Sequence, residues 1–226
     1  MKIVVYSVNI GGYDDLWTPK VVDPNVRYIL FTDNKYFKSN VWEINHVDFL
    51  GNDMDNRLKS RYVKTHPHIV LPNHDVSVWI DNCFSYKFSD TKKMVEEIGI
   101  TNNLIMCYKH DVRNCLYDEA KIIKFMKLDY SDVVDSQMNK YREEGFPKKM
   151  GLYQSGFMVR KNIKNVNNFN NTWWEEIKSF SGRDQLSQVY SSWKTETPIT
   201  PITNGGDVYN NKYLNPKIKH LKKWSI

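Results

Sequence analysis

An aspartate that closes a wholly apolar strand is the first place in this sequence where chemistry can sit. Asp81 follows Val76-Ser77-Val78-Trp79-Ile80, so its carboxylate is expected at the lip of a buried strand. A hard divalent cation such as Mn²⁺ or Mg²⁺ takes carboxylate oxygens and keeps phosphate oxygens as further ligands. A second aspartate two residues on would strengthen that reading, but Cys83 stands there. The alternative is a capping aspartate beside a buried cysteine. Arg57, Arg61 and Lys64 recur at i, i+4 and i+7, which places them on one helix face. Arginine forks and a lysine point charge suit a diphosphate, and the same stripe also suits a solvated face. Tyr153-Gln154-Ser155-Gly156 puts a glycine inside a strand, either for close approach of backbone or ligand or at a bulge. In Gly182-Arg183-Asp184-Gln185-Leu186, Asp184 and Gln185 fall in the first turn of a helix. Asp184 there either complements the helix dipole or meets sugar hydroxyls. His220 lies near Lys222, Lys223 and Trp224. It is either an idle tail histidine or one that closes over a metal, with a following lysine on phosphate.

These residues need elements to hold them. Apolar, β-branched runs predict strands at residues 2–8, 27–32, 41–47, 76–80, 104–108 and 152–160, with a short edge strand at 199–202 between Pro198 and Pro201. Helical spacing covers 55–70, 89–97, 113–128, 132–144, 166–180 and 183–193, and the tail from 205 reads as irregular. Alternation along the whole length predicts one α/β domain over residues 1–226, with a mainly parallel central sheet flanked by helices. In such sheets, ligands bind beyond the carboxyl ends of the strands. Four of those ends are polar or glycine-rich: residues 9–14, Thr32-Asp33, Asp81-Asn82-Cys83 and Lys109-His110-Asp111. Asp33 also reads as the N-cap of a following helix.

Composition narrows the classes. Of 226 residues, 41% are hydrophobic and 26% charged, enough apolar material for a core. No apolar run approaches the roughly 18 residues that span a bilayer, so no transmembrane segment is expected. The first ten residues lack a small-residue cleavage site and read as a buried strand. Aromatics at 14% argue against disorder. Three cysteines, Cys83, Cys107 and Cys115, match no zinc spacing and read as reduced thiols of a cytosolic protein. The net charge of +6 is scattered, densest at 217–223. A mild excess of this kind fits phosphorylated small molecules, an anionic membrane or nucleic acid, but a nucleic-acid binder usually shows a stronger stripe, and none is expected as a partner.

Taken in order, Asn9-Ile10-Gly11-Gly12-Tyr13-Asp14, Phe31-Thr32-Asp33, Arg61 with Lys64-Thr65-His66-Pro67-His68, Trp79-Ile80-Asp81, the 110–120 block from His110 to Ala120, and Arg183-Asp184-Gln185-Leu186-Ser187 form a series. The series resembles the motifs of a GT-A-type glycosyltransferase family that includes plant mucilage- and pectin-related enzymes, bacterial homologues and a chlorella-virus capsid glycosyltransferase domain. The blocks cover roughly residues 3–190. The 153–156 strand and the tail with His220, Lys223 and Trp224 are similar, over a shorter stretch, to glycogenin-like retaining enzymes. The resemblance implies a GT-A-like (Rossmann-like) fold and transfer of a hexose from a UDP-sugar to a glycan or glycoprotein hydroxyl, with Mn²⁺ (or Mg²⁺) and retention of configuration. It implies a nucleotide pocket lined by Asn9, Tyr13 and Asp33. Arg61 and Lys64 would meet the diphosphate or donor sugar, with Lys223 on the diphosphate. Asp81 and His220 would be the metal ligands. Gln154, Ser155, Gly156, Asp184 and Gln185 would lie around the donor sugar, the last two catalytic. Cys83 departs from the usual two-carboxylate metal site and puts more weight on His220. A virus-like origin would place the protein in the host cytoplasm, either whole or as part of a longer chain. Two rivals stay open: a sugar nucleotidyltransferase, which needs a basic triphosphate loop that residues 9–14 lack, and a non-catalytic module binding nucleotide-sugar or nucleic acid.

Overall fold

Successive residues of a strand point to opposite faces, and in the first strand of this chain both sets are apolar. A sheet built from such strands must be covered on both sides. A computed structural model describes residues 1–15, 17–203, 207–209 and 211–216. The strands are β1 (Ile3–Asn9), β2 (Arg27–Thr32), β3 (Trp42–His46), β4 (Val76–Ile80), β5 (Phe84–Tyr86), β6 (Ile105–Lys109), β7 (Tyr153–Lys161), β8 (Ile199–Pro201) and β9 (Leu214–Pro216). The helices are α1 (Asn56–Thr65), α2 (Pro67–Val70), α3 (Thr91–Glu97), α4 (Leu116–Phe125), α5 (Ser131–Glu143), α6 (Lys164–Ser179) and α7 (Gln185–Lys194).

The main sheet runs β3-β2-β1-β4-β7-β6-β8. All its strands point one way except β7, which is antiparallel to both β4 and β6. The expected α/β domain with a mainly parallel sheet is therefore the observed one. Reversal of β7 brings its first residues, Tyr153 to Gly156, to the same edge as the last residues of β1, β4 and β6. Ile3, Val5, Val76, Val78 and Ile80 pack on one face with Met94 and Val95 of α3. Val4, Tyr6, Trp79 and Met158 pack on the other with Val63 of α1 and Val166, Phe169 and Trp173 of α6. Full burial of each such side chain stabilises the fold by roughly 1.5–3 kcal/mol. A third cluster joins α4, α5 and α7, where Tyr141 and Tyr190 stack with ring centroids 3.7 Å apart.

The structure corrects several element boundaries. The helix expected over 55–70 breaks at His66, which has φ −117° and ψ 45°. Pro67 lacks the N–H that would continue the helix and disfavours helical backbone at the residue before it. The helix expected from 113 starts at Leu116, and the one expected from 183 starts at Gln185. The tail expected to be irregular contains β9, which pairs antiparallel with β5 immediately beyond Asp81. No helix follows Asp33 closely enough for it to be an N-cap; its carboxylate accepts from the Gly11 N–H at 2.8 Å instead.

Candidate active site

β4 is buried at every position, so the sheet fixes where Asp81 emerges. The Asp81 N–H donates to the Gly156 carbonyl at 2.8 Å, extending the β4–β7 ladder one residue. Trp79, two residues earlier and on the same strand face, donates its indole N–H to Asp81 Oδ1 at 2.7 Å. Oδ2 takes no hydrogen bond from the described residues. Gly156 lies where the β6–β7 register skips from Met158 to Gln154, so the bulge reading holds. Close approach holds as well: a Cβ on Gly156 would stand 2.8 Å from the Phe84 ring and 3.3 Å from Asp81 Oδ2.

Lys64 sits in the last turn of α1 with its side chain 1% exposed. Its carbonyl accepts from the Tyr6 hydroxyl at 2.9 Å and from Arg160 Nη2 at 2.7 Å, which pins that turn. Its ammonium donates to Asp184 Oδ2 at 2.6 Å, Ser155 Oγ at 3.1 Å and Asp81 Oδ1 at 3.3 Å, and lies 5.3 Å from the centre of the Trp79 ring. Three protons meet three acceptors. The lysine that the sequence directed toward a diphosphate is therefore sealed between carboxylates, because the same helix face that carries it packs onto the sheet. Arg61 is similarly committed, to the Gly182 carbonyl at 3.2 Å and Asp184 Oδ2 at 3.4 Å.

Asp184 occupies the N-cap position of α7 but has helical backbone angles, and its side chain makes no cap bond. Its carboxylate stands at the helix N-terminus without capping it and bonds across the site instead. All its polar contacts fall on Oδ2, from Lys64, Ser155 and Arg61; Oδ1 takes no hydrogen bond from the described residues. The carboxylate projects less freely than its first-turn position suggested. Burial pushes its pKa up, but Arg61, Lys64 and the hydrogen bonds from Lys64 and Ser155 outweigh that and hold it well below the ordinary carboxylate range. Asp184 is therefore an anion at neutral pH.

The remaining expected residues have partners of their own. Gln185 Nε2 donates to the Tyr153 carbonyl at 3.1 Å, and Gln154 Nε2 to Asp111 Oδ1 at 3.3 Å. Asn9 Nδ2 donates to the Asp14 carbonyl at 2.6 Å, and Asn82 Nδ2 to the Asp15 carbonyl at 2.8 Å, tying the loop after β1 to the end of β4. The side-chain carbonyl oxygens of Asn9, Asn82 and Gln154 are buried without a partner among the described residues. Orphaned acceptors of this kind are rare in a finished core and mark places where water or ligand completes the bonding. Tyr13 lies in the electrostatic field of Arg61 and Arg183. Asp33 is exposed and shapes the loop through Gly11. His220 and Lys223 lie outside the described residues.

Sequence reasoning missed several neighbours. Asn82 and Trp79 were named within motifs but given no role of their own, although strand periodicity alone puts Trp79 beside Asp81. Phe84 and Tyr209, with ring centroids 6.1 Å apart, form an aromatic wall next to Asp81. Arg160, a fully buried arginine in the apolar run of β7, was visible as an interruption of that run. Burial drives the Cys83 thiol pKa upward, so it stays a neutral and poor ligand for a hard cation. Among the described residues no group of three His, Cys, Asp or Glu is placed to hold a metal ion.

Residues 1–204 match the family described as "TOD1/MUCI70, glycosyltransferase-like domain". Over 212 residues the chain is 23% identical to a probable hexosyltransferase, MUCI70, of Arabidopsis thaliana, an alignment that covers 82% of this chain and 36% of that protein. The chain thus spans about a third of the length of that curated relative. Among solved structures, it is similar to the apo form of the WbbM bifunctional glycosyltransferase, with a TM-score of 0.48 and 13% identity over 84% of this chain and 37% of that one.

Proposed function

This chain belongs to the TOD1/MUCI70 glycosyltransferase-like domain family, and on that premise we propose that it transfers a hexosyl unit from a UDP-sugar to a hydroxyl of a glycan or glycoprotein, with retention of configuration. The observation that carries the reading is the Lys64 ammonium shared by Asp81 and Asp184 at the carboxyl edge of the sheet. Each carboxylate has one oxygen anchored and one that takes no hydrogen bond from the described residues. Asp184 Oδ1 would face the donor sugar as the ring gains positive charge, and a preorganised anion there lowers the barrier electrostatically. Gln185 and Gln154 would hold sugar hydroxyls, and Asn9, Tyr13 and Asp33 would bound the nucleotide. The unpartnered carbonyl oxygens of Asn9, Asn82 and Gln154 suit donors such as a uracil N–H or a sugar O–H.

Mn²⁺ or Mg²⁺ fits the edge in a limited way. Asp81 Oδ2 is a hard, partly exposed donor, and such ions accept one or two carboxylates when phosphate oxygens complete the shell. Asp81 would hold the ion, with His220 as its second protein ligand. When bound, the ion supplies charge neutralisation on the departing diphosphate.

Calorimetric titration with UDP, GDP and CMP, with and without Mn²⁺, tests the reading together with hydrolysis of UDP-sugars followed by NMR of the released anomer. Metal-dependent preference for UDP and release of the donor's own anomer are expected. Binding without turnover of any UDP-sugar would point to a non-catalytic module, and salt-sensitive binding of all nucleotides alike would end the donor assignment.

A further inference from the structure

The cations that α1 brings to this edge are answered one by one, whereas Arg183 beside them is not, among the described residues. Arg57 Nη2 pairs with Asp129 Oδ2 at 3.0 Å, Arg61 with Asp184, and Lys64 with Asp184 and Asp81. The Arg183 side chain has no ion pair and no hydrogen bond there. It is not a loose surface arginine. Its N–H donates to Ser181 Oγ at 3.1 Å, Ser181 in turn donates to Asp129 Oδ2 at 2.7 Å, and Arg61 holds the Gly182 carbonyl. Gly182 lies so close to Arg57 that a Cβ would stand 2.8 Å from its Nε, so the turn bearing Arg183 is clamped by two arginines of α1. Burial and the charges of Arg61 and Arg57 push the Arg183 guanidinium below its ordinary pKa, against the opposing pull of Asp184 and Glu119, yet arginine stays charged. Asp184 is already paired to Arg61 and Lys64, and Glu119 to Arg113, so this half-buried cation keeps no acceptor of its own among the described residues and is costly until an anion arrives. Tyr13, on the loop after β1, faces both Arg61 and Arg183.

We propose that Arg183, with Arg61 beside it, is the seat for the phosphate groups of the donor, between the 9–14 loop and the start of α7. The proposal rests on the glycosyltransferase reading for the identity of the ligand, and on the charge arrangement for its place. It moves the anion contact from Lys64, whose protons are already shared among Asp81, Ser155 and Asp184, to a residue whose planar fork is unused. A fork of this kind matches phosphate oxygens two at a time.

The test titrates inorganic pyrophosphate, UDP and uridine into the wild type, Arg183→Gln and Arg183→Lys, each once with Mn²⁺ and once with chelator, so that the metal-mediated contact and the direct one are read separately. Pyrophosphate and UDP should bind Arg183→Gln on the order of tenfold more weakly, about 1.4 kcal/mol, while uridine is unaffected. Arg183→Lys keeps the charge without the fork and should fall between, with an unchanged melting temperature. Equal pyrophosphate affinity in wild type and Arg183→Gln, or no pyrophosphate binding to the wild type, would overturn the seat. Hydrolysis of UDP-sugars by the wild type separates the two readings. Turnover with an unaltered Arg183→Gln affinity removes the seat alone. An Arg183-dependent pyrophosphate site without any turnover keeps the seat and removes the donor.

Discussion

The two carboxylates that share Lys64 belong to walls of different character. On the α1–α7 side, Asp184 is 8% exposed, and two cations and a hydroxyl converge on one of its oxygens. On the β4–β5 side, Asp81 is 33% exposed, with an indole and the same ammonium on one oxygen and no hydrogen bond from the described residues on the other. The first wall is set by charges that folding itself has paired. The second keeps one carboxylate oxygen without a hydrogen bond from the described residues. One lysine joins them, so the geometry of the open wall is inherited from the closed one.

The sharpest way to break this contrast is to remove the joint. Lys64→Met strips Asp184 of its nearest cation in a buried place and should cost about 3–5 kcal/mol in urea denaturation. Asp81→Asn should cost under about 1 kcal/mol, because its carboxylate is partly solvated, while abolishing Mn²⁺-dependent UDP binding. Equal destabilisation by the two would erase the distinction between the walls. Next in size is Asp184→Asn. We expect UDP affinity within about threefold of wild type and a loss on the order of 10²-fold in sugar transfer, roughly 2.7 kcal/mol of transition-state stabilisation. Normal turnover in a variant that melts early would reduce Asp184 to a structural anion.

A smaller effect is expected where the open wall meets the sheet. Gly156→Ala drives a methyl group into the Phe84 ring and should cost about 1–3 kcal/mol, read as a lowered melting temperature. No change would mean that Phe84 yields easily and the wall is soft. The least effect is a pH signature. The folded pKa of Asp184 lies below its unfolded value of about 3.9, so on acidification the unfolded chain takes up the proton first. The stability that Asp184 contributes is complete above that unfolded value and is lost as pH falls below it toward the folded one. Urea midpoints of wild type and Asp184→Asn should therefore converge on acidification below about pH 4; parallel curves would show that Asp184 is not held as described.

Elements whose chemistry is local were legible in the sequence. β2 and β4 begin and end where their β-branched runs do, stopped by Asp33 and Asp81. The β8 edge strand was marked by its prolines. The break at Pro67 was equally plain and was overridden by helical spacing on both sides. Pairings across long sequence separations were not legible. An i, i+4, i+7 stripe does not say which member turns inward, and Lys64 meets a carboxylate 120 residues away while Arg57 meets one 72 away. β5 and β9 have three residues each, too few for a period to register. Asp184 was singled out from its own segment, but its partners come from α1 and β7, which no reading of the 182–186 segment contains.

The β5–β9 ribbon also puts this site in an order of time. Ser85 pairs with Asn215, 130 positions on. During synthesis the charged joint of Lys64, Asp81 and Asp184 can form once α7 has emerged, whereas the strand carrying Phe84 waits for residues 214–216. Contacts of such range are slow to close and late to be rewarded. A growing chain therefore acquires its ionised wall first and its aromatic wall last, and a chain stopped short of residue 214 would carry the complete charge joint beside a strand with nothing to pair with.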